Sequence, residues 1–165
     1  CACGITGKAS SVTPVSGGCS HSAFLILGGA QAVFVKTAQN SLLEQFHAEA
    51  TGLQQLRQSS TICVPDVYCT GISVRHAFIA MQAIEFGPAQ PHSYALFGEQ
   101  LAALHQQESS SFGAIQDNFI GTTPQINNRT NNWFSFWREH RLGYQLDLAG
   151  HNGASAGLVE DGYRL

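Results

Sequence analysis

The sequence is short of charge. Asp, Glu, Lys and Arg make up 12% of its 165 residues, about half the usual share. The net charge is −3, with no basic cluster, which speaks against a nucleic-acid or anionic-membrane partner. No apolar run reaches the roughly 18 residues of a membrane span. No charged stretch followed by an apolar one marks a signal peptide. The five cysteines, Cys1, Cys3, Cys19, Cys63 and Cys69, are odd in number and supply no pair of CxxC motifs, so a four-ligand zinc site has no framework. Reduced thiols in a cytoplasmic protein are the expectation. A Walker-type loop is absent, which removes the usual sign of a P-loop nucleotidase. Nothing marks a paired-carboxylate hydrolase site. The chain starts at Cys1 rather than Met, as expected of a processed protein or a fragment.

The apolar share, 44%, is that of a globular protein with a packed core. Residues 11–37 read as a three-stranded meander. Ser11–Ser16 is broken by Gly17-Gly18; His21–Leu27 turns at Gly28-Gly29; Gln31–Lys36 follows. Ser41–Gln58 reads as a helix, with Ser41 and Glu44 spaced as a capping box. Asp66–Ser73 and His76–Ala83 read as two more strands about a turn at Val74-Arg75. Residues 85–93, with Gly87, Pro88 and Pro91, read as a linker. Tyr94–Gln107 reads as a second amphipathic helix, with a stripe of Tyr94, Phe97, Leu101 and Leu104. Glu108–Asn132 reads as loop. Trp133–Ala149 reads as a third helix, capped by Asn131 or Asn132, with Trp133, Trp137, Tyr144 and Leu148 on one side. The tail from Gly150 shows no period.

The informative residue is Glu49. The apolar stripe of the first helix runs Leu42, Phe46, Glu49, Leu53, Leu56, so a carboxylate occupies an apolar-face position. Buried without a partner it would cost several kcal/mol or take up a proton. Lys36 ends the strand just before this helix and shares a sheet face with Phe34. If that face packs on the helix, the two charges meet. Desolvation makes such a pair a poor stabiliser, whereas an ammonium held in place can serve an anion such as a nucleotide phosphate. Spacing alone leaves a second reading open, with Glu49 at the edge of the stripe and Lys36 a solvated strand end.

Gly17-Gly18-Cys19-Ser20 lies between the first two strands. It reads either as a hairpin break or as a backbone cradle in which main-chain N–H groups approach phosphate. Cys19 at its tip is either a thiol activated by those dipoles or a passive small residue. Phe78–Ile84 reads as a buried strand running into the linker. His105 at a helix end reads as packing or a cap. Trp133, Phe134, Phe136 and Trp137 read as core packing or as a wall for a sugar ring.

Taken in order, several runs resemble the fructosamine/ketosamine kinase family, within the wider group similar to aminoglycoside and choline kinases. They are Gly17-Gly18-Cys19; Val33-Phe34-Val35-Lys36; Phe46-His47-Ala48-Glu49-Ala50; Val64-Pro65; Phe78–Ile84; and Gly98-Glu99-Gln100-Leu101-Ala102. The more specific part is Phe112-Gly113, Asp117-Asn118-Phe119-Ile120-Gly121, Pro124-Gln125, Asn127, Trp133, and Arg141-Leu142 with Gln145-Leu146.

The resemblance implies an α+β, protein-kinase-like fold. A nucleotide-binding lobe at 1–84, with a five-stranded antiparallel sheet and one helix, leads through a hinge at 85–93 to the first helices of a helical lobe at 94–165. It implies ATP and Mg²⁺ as cofactors and, as acceptor, a small ketosamine or glycated protein amine phosphorylated on the sugar 3-hydroxyl. Lys36 would bind the phosphates and Glu49 would orient Lys36. Gly17, Gly18, Cys19 and Ser20 would cover the phosphates. Gln82, Ala83 and Ile84 would hold the adenine, with Met81 behind it. The family's catalytic loop, His-Gly-Asp-Leu-Trp-x-Gly-Asn, and its later metal-binding Asp have no counterpart here. No catalytic or metal-ligating residue is therefore expected in this chain, and those groups are expected downstream. Two alternatives stand beside this reading: a kinase-like module that binds a nucleotide or partner and transfers nothing, and a kinase for another small alcohol.

Overall fold

A computed structural model describes residues 8–16, 21–28 and 31–165. The chain divides into two compact units, residues 1–107 and 108–165. The first is built on an antiparallel sheet of β1 (Ser11–Val15), β2 (Ser22–Gly28), β3 (Gln31–Gln39), β4 (Val67–Ser73) and β5 (His76–Gln82), in the order β1-β2-β3-β5-β4. The turn at Val74-Arg75 is where the sequence puts it, with Val74 in the left-handed region at φ 55°.

Strand alternation decides which residues face the first helix, α1 (Leu43–Gln58). Phe34, Lys36 and Ala38 of β3 lie opposite Met81, Ile79 and Ala77 of β5. Directly opposed residues share a face, so these six make one surface. Against it pack Leu42, Leu43, Phe46, Ala50 and Leu53, and Phe46 and Ile79 are fully buried. The stripe is therefore rotated slightly from the expected one: Leu56 is 43% exposed. Nor does Ser41 cap the helix, because Asn40–Leu42 forms a 3-10 turn with no side-chain cap bond. That turn lets the chain leave β3 and enter α1 directly.

Helix α2 (Ser93–His105) follows an irregular stretch. Of its expected stripe, Leu101 and Leu104 are partly buried, while Tyr94 and Phe97 are exposed. The cysteine expectation fails at Cys69, which is disulfide-bonded, whereas Cys63 is a free, exposed thiol. Among the described residues no helix is long and apolar enough to cross a membrane.

The second unit contains three elements that periodicity missed. Asn118–Ile120 (β6) and Thr123–Gln125 (β7) form a short hairpin turning at Gly121, which has φ 60°. Ala156–Tyr163 (α5) is a helix, capped by the Ser155 side chain. The long helix breaks into α3 (Trp133–Trp137), a π-helical stretch at Arg138–Gly143, and α4 (Tyr144–His151). Its start is capped as expected: Asn132 Oδ1 accepts the Ser135 N–H at 2.9 Å. The predicted stripe holds only beyond the π-helical stretch, where Tyr144 and Leu148 are partly buried. Phe136 is buried, whereas Trp133 and Trp137 are about half exposed.

Helices α4 and α5 pack closely at Gly162, where a side chain would strike Leu146. Tyr163 Oη donates to Asp147 Oδ1 at 2.6 Å. That bond, with burial and the Asp147 charge, raises the Tyr163 phenol above its ordinary value of 10.0. A phenol whose pKa is raised by folding contributes stability that is intact below its unfolded pKa and lost as pH rises through the folded one. Spectroscopic titration should show one late-ionising tyrosine that Tyr163→Phe removes. An unchanged titration curve in that variant would refute the assignment.

Candidate functional site

Of the six residues of β3 and β5 that make the surface under α1, five are apolar and Lys36 is charged. An ammonium there needs a counter-charge or water, and α1 supplies the charge. Phe46 anchors the helix in the core, and Glu49, one turn later, comes over Lys36. Lys36 Nζ donates to Glu49 Oε1 at 2.6 Å. The side chains are 31% and 27% exposed, so the pair is neither a solvated surface pair nor sealed off. A second anion can reach the ammonium, which still has donors to offer. The pairing that spacing left open is formed.

Met81 is 5% exposed and belongs to the core under α1, opposite Phe34. Gln82 ends β5 in a bracket that the sequence did not show. Its N–H donates to Asp66 O at 2.7 Å, and its side-chain Oε1 accepts the Asp66 N–H at 3.3 Å. The Asp66 carboxylate in turn pairs with Arg57, in the last turn of α1. The start of β4, the end of β5 and the end of α1 are thus tied together at the point where the chain leaves the sheet. Gln82 is therefore held to the protein by main chain and side chain. Ala83 and Ile84 are outside the strand ladders, and Ile84 is 39% exposed. Gly17, Gly18, Cys19 and Ser20 lie outside the described residues.

A separate polar knot organises the second unit. Asn127 is 4% exposed. Its N–H donates to Asp117 Oδ1 at 2.7 Å, and its side-chain Nδ2 donates to Gln116 O, Asn118 Oδ1 and Gln125 O at 3.0–3.3 Å. Its Oδ1 accepts from Arg141 Nη2 at 2.6 Å, and Arg141 Nη1 donates to Ile126 O, also at 2.6 Å. The Phe136 ring lies 4.5 Å from the guanidinium. Burial lowers the Arg141 pKa below its ordinary value. Gly113, at φ +107°, is part of the same packing: a Cβ there would sit 2.8 Å from Asn127 O. The specific motif residues of the sequence thus converge on one knot, a role that spacing gave no means of assigning. Of the aromatic cluster, Phe136 alone is buried, and Phe134 is 81% exposed. Among the described residues no group of three or more His, Cys, Asp or Glu is placed to hold a metal ion.

Comparison with known proteins places this architecture. The fructosamine kinase family model matches residues 3–162. A Synechocystis sp. protein assigned as a ketoamine kinase is 44% identical over 136 residues, covering 82% of this chain and 46% of the relative. The chloroplastic protein-ribulosamine 3-kinase of Oryza sativa subsp. japonica is 38% identical over 165 residues, covering 96% of the chain and 48% of the relative. The chain spans about half the length of the curated relatives it matches. A crystal structure of a Haemophilus somnus 129PT protein assigned as a fructosamine-3-kinase superposes with a TM-score of 0.81 at 30% identity, covering 94% of this chain and 54% of that one. One from Thermobifida fusca gives 0.76, also at 30% identity, covering 93% and 54%. The α+β fold, with its five-stranded antiparallel sheet and helices, matches these neighbours. The chain belongs to the fructosamine kinase family.

Proposed function

We propose that this chain is the nucleotide-anchoring part of an ATP-dependent kinase acting on ketosamines. The acceptor is a fructosamine or ribulosamine, free or on a glycated protein amine, phosphorylated on its sugar 3-hydroxyl. The product is unstable and releases the amine. The observation that carries this reading is the Lys36–Glu49 pair, a positive charge fixed beside the apolar core under α1 and left partly open.

Phosphoryl transfer asks the protein mainly for positioning and charge stabilisation. Lys36 holds phosphate oxygens, and Glu49 keeps the ammonium from collapsing elsewhere. Gly17, Gly18, Cys19 and Ser20 close over the phosphates. Ala83 and Ile84 present backbone groups to adenine; Gln82 sets their position through the Asp66 bracket; Met81 backs the site. In this reading residues 1–84 form the nucleotide lobe, 85–93 the hinge, and 94–165 the first helices of a helical lobe. Mg²⁺ would supply charge neutralisation on the phosphates when bound. A cytoplasmic setting is part of the reading on the requirement for ATP; it no longer rests on reduced thiols, because Cys69 is disulfide-bonded. A second reading is a nucleotide- or partner-binding module that transfers nothing.

Mg-ATP should raise the melting temperature of the chain. Lys36→Ala should weaken ATP affinity about 10- to 100-fold, the worth of one hydrogen bond from a charged group. An unchanged shift in that variant would exclude Lys36 as the anchor. Transfer itself is tested by following ADP release with fructosyl- and ribulosyl-lysine as acceptors, and by looking for the phosphorylated sugar. ATP binding without turnover on either acceptor would favour the second reading.

A further inference from the structure

We propose that His21 is a further residue of the nucleotide site, its ring Nε2 held as a donor for a phosphate oxygen; this rests on the reading of Lys36 as the phosphate anchor. His21 follows Ser20 and directly precedes β2. The β2–β3 register pairs Ser22 with Thr37 and Ala23 with Lys36, so one further step sets His21 opposite Ala38. By strand alternation His21, Ala23, Lys36 and Ala38 share one face, the face that α1 covers. The imidazole lies against Phe46, with ring centroids 5.0 Å apart and planes tilted at 44°. Helix α1 thus meets this corner at two successive positions: Phe46 on His21 and, one turn on, Glu49 on Lys36. His21 and Lys36 are diagonal neighbours across the strand pair, a separation that long side chains bridge.

His21 Nε2 is buried and has no hydrogen-bond partner among the described residues. A buried polar atom without a partner is destabilising, and an apolar ring would fill the same place against Phe46 without that penalty. A ligand that brings an acceptor removes it. The anchor beside it selects for negative charge, and an imidazole N–H to a phosphate oxygen is a charge-assisted bond.

The test measures melting shifts and affinities of the chain for Mg-ATP, tripolyphosphate and adenosine, in the unaltered protein and in His21→Phe, His21→Asn, His21→Gln and Lys36→Ala. His21→Phe should melt no lower than the unaltered chain without ligand, yet bind ATP and tripolyphosphate about tenfold more weakly. His21→Asn, whose amide stops short of the Nε2 position, should lose as much and carries the test if His21→Phe does not fold. His21→Gln, whose amide nitrogen reaches that far, should retain most of the affinity. Adenosine binding should not change in any of them. Unaltered tripolyphosphate affinity in the Phe and Asn variants, or an equal loss for adenosine, overturns the proposal. If Lys36→Ala loses ATP and the His21 variants do not, this inference alone falls; if the unaltered chain binds neither ATP nor tripolyphosphate, the phosphate-anchor reading falls with it.

Discussion

Replacing Phe46 by alanine is expected to cost about 3–5 kcal/mol, the range for deleting a buried aromatic ring from a core. Phe46 is fully buried between α1 and the sheet, in one cluster with Ala38, Ala77, Ile79 and Met81. It also carries the ring contact with His21. Typical domain stability is only about 5–15 kcal/mol, so the loss is a large fraction of the total. The effect reaches function through geometry. Glu49 stands one turn beyond Phe46, and a helix released at Phe46 no longer fixes the carboxylate over Lys36. Urea unfolding followed in the first unit should show a lower midpoint. In whatever fraction remains folded, Phe46→Ala should also reduce the Mg-ATP melting shift. Phe46→Leu, which keeps most of the apolar volume, should cost less than half as much. A loss below ~1 kcal/mol for the alanine variant would show that α1 is held by something other than this cluster.

Replacing Asn127 by leucine is expected to be nearly as damaging to the second unit, at roughly 3 kcal/mol or more. The branched shape and the number of side-chain heavy atoms are conserved, so most of the cost is polar. The variant strips hydrogen bonds from Arg141 Nη2 and from Gln116 O, Asn118 Oδ1 and Gln125 O together. Each buried group left unpaired costs about 1–3 kcal/mol, more for a charged one. Arg141 is the sensitive member, because its guanidinium is already desolvated and its partners here are carbonyl oxygens, with the Phe136 ring over it. Asn127→Ala and Asn127→Leu should therefore fall together in chemical denaturation followed by tryptophan fluorescence, Trp133 and Trp137 being the only tryptophans. Native stability in the leucine variant would mean that the knot is filled by volume and not by its hydrogen bonds. Arg141→Met separates the two ends of the network: it should be less costly than Asn127→Leu, since it removes the buried charge along with its bonds.

How much of this was legible depends on the range over which each signal acts. Lys36 and Glu49 were readable because two independent periods, two along β3 and 3.6 along α1, each placed a charge on an apolar face. The five strands and α1 were readable for the same reason. The hairpin β6–β7 was not: its strands are three residues each, too short for any alternation to stand out, and they sit among Gly, Pro and Asn. Helix α5 was hidden by Gly157 and Gly162, which dilute its pattern; Gly162 earns its place only through the approach of Leu146. The stripe of the third helix failed in its first turn, where Phe136 is buried and Trp133 and Trp137 are about half exposed; an apolar count cannot tell which of several adjacent aromatics faces the core. The capping box at Ser41 failed because Asn40–Leu42 forms a 3-10 turn in its place.

The sequence by itself determined the antiparallel meander, the helix that crosses it, and the demand of one buried-face carboxylate for a cation. These follow from periodicity, which is a property of neighbours along the chain. Only the tertiary structure decided which atoms meet across it. Arg57 finds Asp66 and Asp66 brackets Gln82; Asn127 collects Asp117 and Arg141; His21 comes against Phe46, its Nε2 unpaired among the described residues. Such meetings depend on strand register and on where α1 lies across the sheet. Both are set by packing the whole core at once, and no local pattern encodes them.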